Sequence, residues 1–197
     1  MKNILTLLGI IGLAWLVVVA YGIIYFEVSY ILSPEYYTKN FFIEYGFCER
    51  RNCDPDNPQL DVAMIGFMMT WWMGLITGIV MALLALILRS THAIFRATRK
   101  ALVRMISVVA VAGLVGLSAG FLYLSDDTIP SRLPSGLSSP QDYIAVGNMH
   151  NFSFIGGIIG LMFGIGYLVR KRKRVHKDDA EYPLFAEHSH DAGGEEE

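Results

Sequence analysis

Charge is what this sequence has least of. Asp, Glu, Lys and Arg make up 17% of its 197 residues, where a soluble chain carries about 25%. That deficit, with 53% hydrophobic residues and a mean hydropathy of +0.42, points to a membrane protein. Two cysteines are too few for a disulfide scaffold. Seven prolines are too few for a low-complexity linker protein, and the 19 glycines show no collagen period. A formal net charge of −2 argues against a nucleic-acid binder, which needs a basic surface. No internal repeat stands out. The chain has no HExxH, no phosphate-binding glycine loop and no GxSxG, so the common enzyme motifs are absent.

What is present is four nearly charge-free stretches, at about 4–26, 62–88, 105–124 and 150–169. About 20 apolar residues suffice to cross a bilayer as a helix. The expected fold is therefore an all-α integral membrane protein. It is a four-helix transmembrane bundle with a short outer interfacial helix, all within residues 1–177. Residues 178–197 read as a polar cytoplasmic tail, too poor in apolar residues to fold on their own and expected to be disordered. The first stretch has a rival reading as a signal peptide, with Val18-Val19-Ala20 as a cleavage site. A signal peptide's apolar core runs about 7–15 residues. Here it continues to Phe26, which favours an uncleaved helix.

Lys and Arg set the orientation. The loop from Arg89 to Arg104 holds five basic residues and no acid, and Arg170 to Lys177 holds six. Glu27 to Asp61 holds three basic residues against seven acids, and Ser125 to Asp142 one against three. The second loop and both termini are thus expected in the cytoplasm, with the first and third loops outside.

Apolar helices have no hydrophobic drive to associate in lipid, so small residues at four-residue spacing bring backbones together. Three rows fit: Gly74, Gly78 and Ala82; Ala112, Gly116 and Gly120; Gly156, Gly160 and Gly164. Spacing alone leaves open whether they pack within one chain or between chains. In the first outer segment, Ser33-Pro34-Glu35 gives a cap, a first-turn proline and a first-turn acid. The helix it starts would carry Tyr36, Tyr37, Phe41 and Phe42. Cys48 and Cys53 follow. An oxidising compartment favours a disulfide, worth about 2 kcal/mol for so short a loop. Free thiols are the alternative, as is zinc, although two cysteines do not complete a tetrahedral site. Ser139-Pro140-Gln141-Asp142 repeats the start signal before the fourth stretch.

Counting about 20 residues outward from each inner boundary brings Tyr25, Glu27, Thr70, Trp71, Trp72, Ser125, His150 and Asn151 to one depth. One reading is an anchoring belt, because Trp and Tyr gather at membrane interfaces. The sharper reading is a binding site at the outer mouth of the bundle, with Glu27, Glu35, Trp71, Trp72 and His150 as candidates. It expects His150 beside the outer end of the first helix, near Glu27 or the loop after it. None of the stretches carries an ionisable side chain at its midplane, which counts against an ion-coupled transporter.

The string from Tyr21 to Ile24, continued by Val28-Ser29-Tyr30-Ile31-Leu32-Ser33-Pro34-Glu35-Tyr36-Tyr37-Thr38-Lys39, resembles a group of uncharacterised bacterial four-span membrane proteins. In that group the first helix runs into an "ISPEYYTKF"-like segment. Trp71-Trp72-Met73-Gly74 and Gly147-Asn148-Met149-His150 are similar to later parts of the same proteins. The group has His-Asp-Gln where this chain has Tyr25-Phe26-Glu27. The resemblance implies a bacterial inner-membrane home and no particular activity. Two functional readings remain. The first is a non-enzymatic subunit or accessory protein that acts through another membrane protein or a second copy. The second is a binder of a ligand, metal or cofactor, or an enzyme, with its site at the outer mouth. No cofactor follows from the sequence.

Overall fold

The computed structural model describes residues 2–49, 53, 55–85, 91–122 and 133–191. Ser125 and several of the loop charges (Arg50, Arg51, Arg89 and Arg132) lie outside the described residues, as do tail residues 192–197. Every element among the described residues is helical: α1 (Lys2–Leu32), a short α2 (34–44), α3 (Pro58–Ala85), α4 (Thr91–Leu122) and α5 (Pro140–Asp191). Four are long and apolar enough to cross a membrane, over Ile4–Leu32, Pro58–Leu84, Phe95–Leu122 and Pro140–Lys171. The chain is an all-α, four-helix, multi-pass membrane protein.

The helices overrun the charge-free stretches. Glu27 ends the first stretch, yet α1 continues to Leu32. A charge marks where hydrocarbon stops, and helical hydrogen bonds carry on in the interface beyond it. At the other end of the chain α5 continues to Asp191. Residues 178–191, expected to be disordered, are therefore helical here.

Both capping signals act as written. The Ser33 side chain accepts from the Tyr36 backbone N–H, with Pro34 in the first turn. Ser139 Oγ donates to Asp142 Oδ2 at 2.5 Å where α5 begins. Here α2 denotes the continuous run Pro34–Tyr36, Tyr37–Phe41 and Phe42–Glu44, whose central part is a π turn. The wider π turn adds one residue per turn, so Tyr37, Phe41 and Phe42 all become buried. Tyr37 Oη donates to the Phe26 carbonyl at 2.8 Å. Ser29 Oγ donates to the same carbonyl at 3.0 Å. Burial pushes the Tyr37 phenol above its ordinary pKa, so it stays protonated and remains a donor. After α2, a disulfide joins Cys48 and Cys53, their Cα atoms 4.9 Å apart.

The bundle is two tight pairs, α1 with α3 and α4 with α5, that meet each other far less closely. Glycine explains the tightness. A Cβ on Gly74 would stand 3.0 Å from Trp15 Cα, and one on Gly78 2.9 Å from Ile11 Cα. In the second pair a Cβ on Gly120 would stand 2.4 Å from Ala145 Cα, and one on Gly116 2.5 Å from the Asn148 carbonyl oxygen. Gly160 backs onto the Met105 carbonyl, 2.9 Å from such a Cβ. All three small-residue rows thus face partners within this chain.

The pairs are joined at their two ends. At the basic end, Ile10, Met81, Ala82, Ala97, Ala101 and Leu168 form one cluster. Ala14, Val18, Leu102 and Met105 extend it inward. Arg104 lies over the Tyr167 ring, 4.0 Å from its centroid. At the opposite end, Phe26, Tyr37, Phe41, Phe42, Val62 and Ile65 form a second cluster among α1, α2 and α3, and Tyr36 and Phe41 carry it to His150 on α5.

Gly120→Leu must force α4 away from α5, where overpacking costs about 1–3 kcal/mol. We expect a clearly lower melting temperature in detergent. Gly12→Leu is the control, since a Cβ there meets nothing within 4 Å. Equal melting of the two variants would show that the glycine contacts do not hold the pair.

Candidate ligand-binding cleft

Between the two closed ends the helix pairs leave a cavity of about 390 Å³, within the range of about 300–1,000 Å³ typical of small-molecule pockets. It is elongated along the bundle. Its wall on α5 runs from His150 to Leu161 and on α1 from Val18 to Phe26, about 16 and 12 Å of helix. The walls are mainly apolar in the basic half, around Met105, Ile106, Ile76 and Leu161, with Thr77 the one hydroxyl among the described residues there. Polar atoms gather in the other half, at Tyr25, Thr70, His150, Asn151 and Ser153. No Asp, Glu, Lys or Arg lines the cavity among the described residues.

One edge is open to the side. Ile76 on α3 is 49% exposed, and Phe154 and Ile158 on α5 are 49% and 60% exposed, although all three line the cavity. In a membrane, that edge faces acyl chains. Gly157 also lines the wall, and a Cβ there meets nothing within 4 Å. This glycine holds no helix contact and simply leaves room.

His150 closes the polar end. Its ring lies 4.9 Å from Phe26, 5.3 Å from Tyr25, 5.4 Å from Phe41 and 5.5 Å from Tyr36. Tyr36 stacks on it at an interplanar angle of 15°. Tyr25 and Phe26 come from α1, Tyr36 and Phe41 from α2, so two elements enclose an imidazole carried by a third. Gly147 lets Tyr36 in, because a Cβ there would stand 3.2 Å from that ring. Beside the cage, Tyr25 Oη donates to the Met149 carbonyl at 3.0 Å. It also lies 2.8 Å from Ser153 Oγ. With its single hydrogen committed, Tyr25 accepts from the serine. His150 Nε2 is buried with no hydrogen-bond partner. Leaving such a group unmade costs about 1–3 kcal/mol.

The five residues singled out in the sequence separate. His150 and Trp72 line the cavity, and Trp71 and Glu27 do not. His150 does meet the α2 end of α1, through Tyr25 and Phe26, but no carboxylate partners its Nε2. Glu35 has another task. Its carboxylate accepts from the Ser138 N–H (2.8 and 3.0 Å) and the Ser139 N–H (3.0 Å) at the start of α5. That clamp ties α2, and with it Tyr36 and Phe41, over the cavity. The cavity therefore lies beneath α2 and opens sideways, where the sequence suggested a mouth open to the outside. Tyr25, Tyr36, Phe41 and Ser153 were missed as site residues. Their aromatic and hydroxyl character was visible, but only the fold turns them toward one point. Among the described residues, no group of three or more His, Cys, Asp and Glu could hold a metal ion.

Comparison with protein-family models, with curated proteins and with solved structures gives no match. The class is thus set by architecture: a helical multi-pass membrane protein with a lateral cleft between two helix pairs.

The Ser138 and Ser139 N–H groups, and then Lys39, hold the Glu35 carboxyl below its ordinary pKa. A depressed acid stabilises the fold above its unfolded value of about 4.3, and that support fades as pH falls through the folded value. Glu35→Gln is expected to melt below wild type at pH 7. Melts repeated down to pH 3.5 should show the gap closing. A gap that stays constant with pH would show that the clamp adds nothing.

Proposed function

We propose that this chain is a bacterial inner-membrane protein that takes a lipid-soluble ligand sideways from the bilayer into the cleft. The observation that carries the reading is the buried, unpartnered His150 Nε2 at the polar end of an uncharged, mainly apolar cavity. An apolar wall selects an apolar body, and one unmet polar atom selects a matching polar head. The open edge at Ile76 and Ile158 gives a route that never leaves hydrocarbon. The role is one of binding and carries no catalytic step. It suits an accessory protein that delivers or holds a ligand for a membrane partner.

In this reading the α2 end faces outward and both termini are cytoplasmic, because basic residues concentrate at the opposite end. Reporter fusions at Lys100 and Lys177 should give cytoplasmic signals, and fusions at Asn57 and Ser135 external ones. A cytoplasmic signal at Asn57 would reverse the arrangement.

The binding reading is tested by gentle purification, solvent extraction and mass spectrometry. Wild type should yield a compound in near-stoichiometric amount that Gly157→Phe, with its cleft filled, lacks. Identical extracts from two equally stable proteins would overturn the reading.

A further inference from the structure

We infer that the cleft takes a quinone-class lipid: a neutral, flat ring bearing carbonyl oxygens, carried on an apolar chain. The inference rests on the binding reading above and assigns the ligand's chemistry.

Three observations carry it. The first is neutrality. No Asp, Glu, Lys or Arg lines the cavity among the described residues. A charged head would be buried without a counter-charge, at a cost of several kcal/mol. Fatty acids and phospholipid heads are excluded on that ground.

The second is His150 Nε2, which needs one partner and has none. A neutral imidazole presents this atom either as N–H or as a lone pair, depending on tautomer. Turned from its aromatic cage toward the cavity, it can donate to a ring carbonyl or accept from the hydroxyl of the reduced ring, so either form of the head satisfies it. Thr70 Oγ1 already donates to the Gly66 carbonyl at 2.6 Å, and Tyr25 Oη to that of Met149. Both are left as acceptors, so the donors that the lining offers a carbonyl include His150, Asn151 and Trp72.

The third is shape. The polar half of the cavity is walled by flat faces and sulfur: Tyr21, Tyr25, Phe26, Tyr36, Trp72 and Met69. Aromatic faces and thioethers favour contact with a planar ring. From there the cavity continues for about 16 Å of α5 past Gly157 to Leu161. That part is a slot for a chain, open along the Phe154 and Ile158 edge. A head at His150 and a chain along Gly157 fill the cavity in register with its polarity.

The test uses the full chain in detergent and three probes of similar chain length: decyl-benzoquinone, dioctanoylglycerol and dodecanoate. Native mass spectrometry counts the bound probe, and infrared difference spectroscopy reads the quinone carbonyl stretch. Decyl-benzoquinone should bind one to one on wild type, with its carbonyl band shifted to lower frequency by a hydrogen bond. Gly157→Phe should abolish binding. His150→Phe should weaken it about tenfold, the worth of one buried hydrogen bond, and remove the band shift. His150→Gln, which keeps a donor, should restore both in part. The assignment is overturned if His150→Phe binds the quinone as wild type does with the same band position. It is also overturned if dioctanoylglycerol or dodecanoate binds in a Gly157-dependent manner while the quinone does not, an outcome that leaves the cleft reading intact. If no probe distinguishes wild type from Gly157→Phe, the assignment falls, and the extraction experiment decides the cleft reading separately.

Discussion

The structure depends on backbone touching backbone. In hydrocarbon, peptide groups have no water to bond, so each crossing is a helix that satisfies itself. Lipid chains are as apolar as Leu, so burying side chains against each other gains little. What remains is van der Waals contact at close range, and glycine is the residue that permits it. Gly74 and Gly78 bring α3 against α1, and Gly116, Gly120 and Gly160 bring α4 against α5. With short-range contact spent inside two pairs, the space between the pairs is where the bundle is loosest. The cavity follows from that division.

The polar half of the cavity obeys the same accounting of bonds. Tyr25, Ser153 and the Met149 carbonyl satisfy one another across α1 and α5. Tyr37, Ser29 and the Phe26 carbonyl do so between α2 and α1. The first of these networks binds the two pairs together, and the second fastens α2 to α1. Two buried side-chain atoms among the described residues stay unmet, Thr98 Oγ1 and His150 Nε2, and of their residues only His150 lines the cavity.

Much of the fold was legible in the sequence. Length, apolarity and charge gaps gave four crossings. Ser33-Pro34 and Ser139-Pro140 marked two helix starts, and four-residue spacing marked the glycine rows. These are local signals, set by neighbours along the chain. The candidate site was legible only in depth. Counting residues put Tyr25, Thr70 and His150 at one level, but depth carries no angle about a helix axis. The angle decides that Trp72 lines the cavity while Trp71 does not, and that His150 meets Phe26 rather than a carboxylate. The π turn in α2 was equally hidden. A helix pattern of 3.6 residues separates Phe41 and Phe42 by 100°, and only the wider turn buries both beside Tyr37.

For the ligand proposed, the open edge at Phe154 and Ile158 makes the surrounding membrane part of the binding equilibrium. Whatever dissolves in the acyl phase is confined to a thin layer, at a concentration far above its average in the cell. Weak intrinsic affinity is then enough to keep the cleft occupied, because occupancy scales with local concentration. The same edge also makes occupancy reversible by dilution. Solubilisation spreads lipid over a micellar volume much larger than the original bilayer, so an occupied cleft would empty as detergent rises. The apparent stability of the bundle would then track the ratio of lipid to detergent, since a ligand held between the two pairs bridges the join that the glycines leave loose.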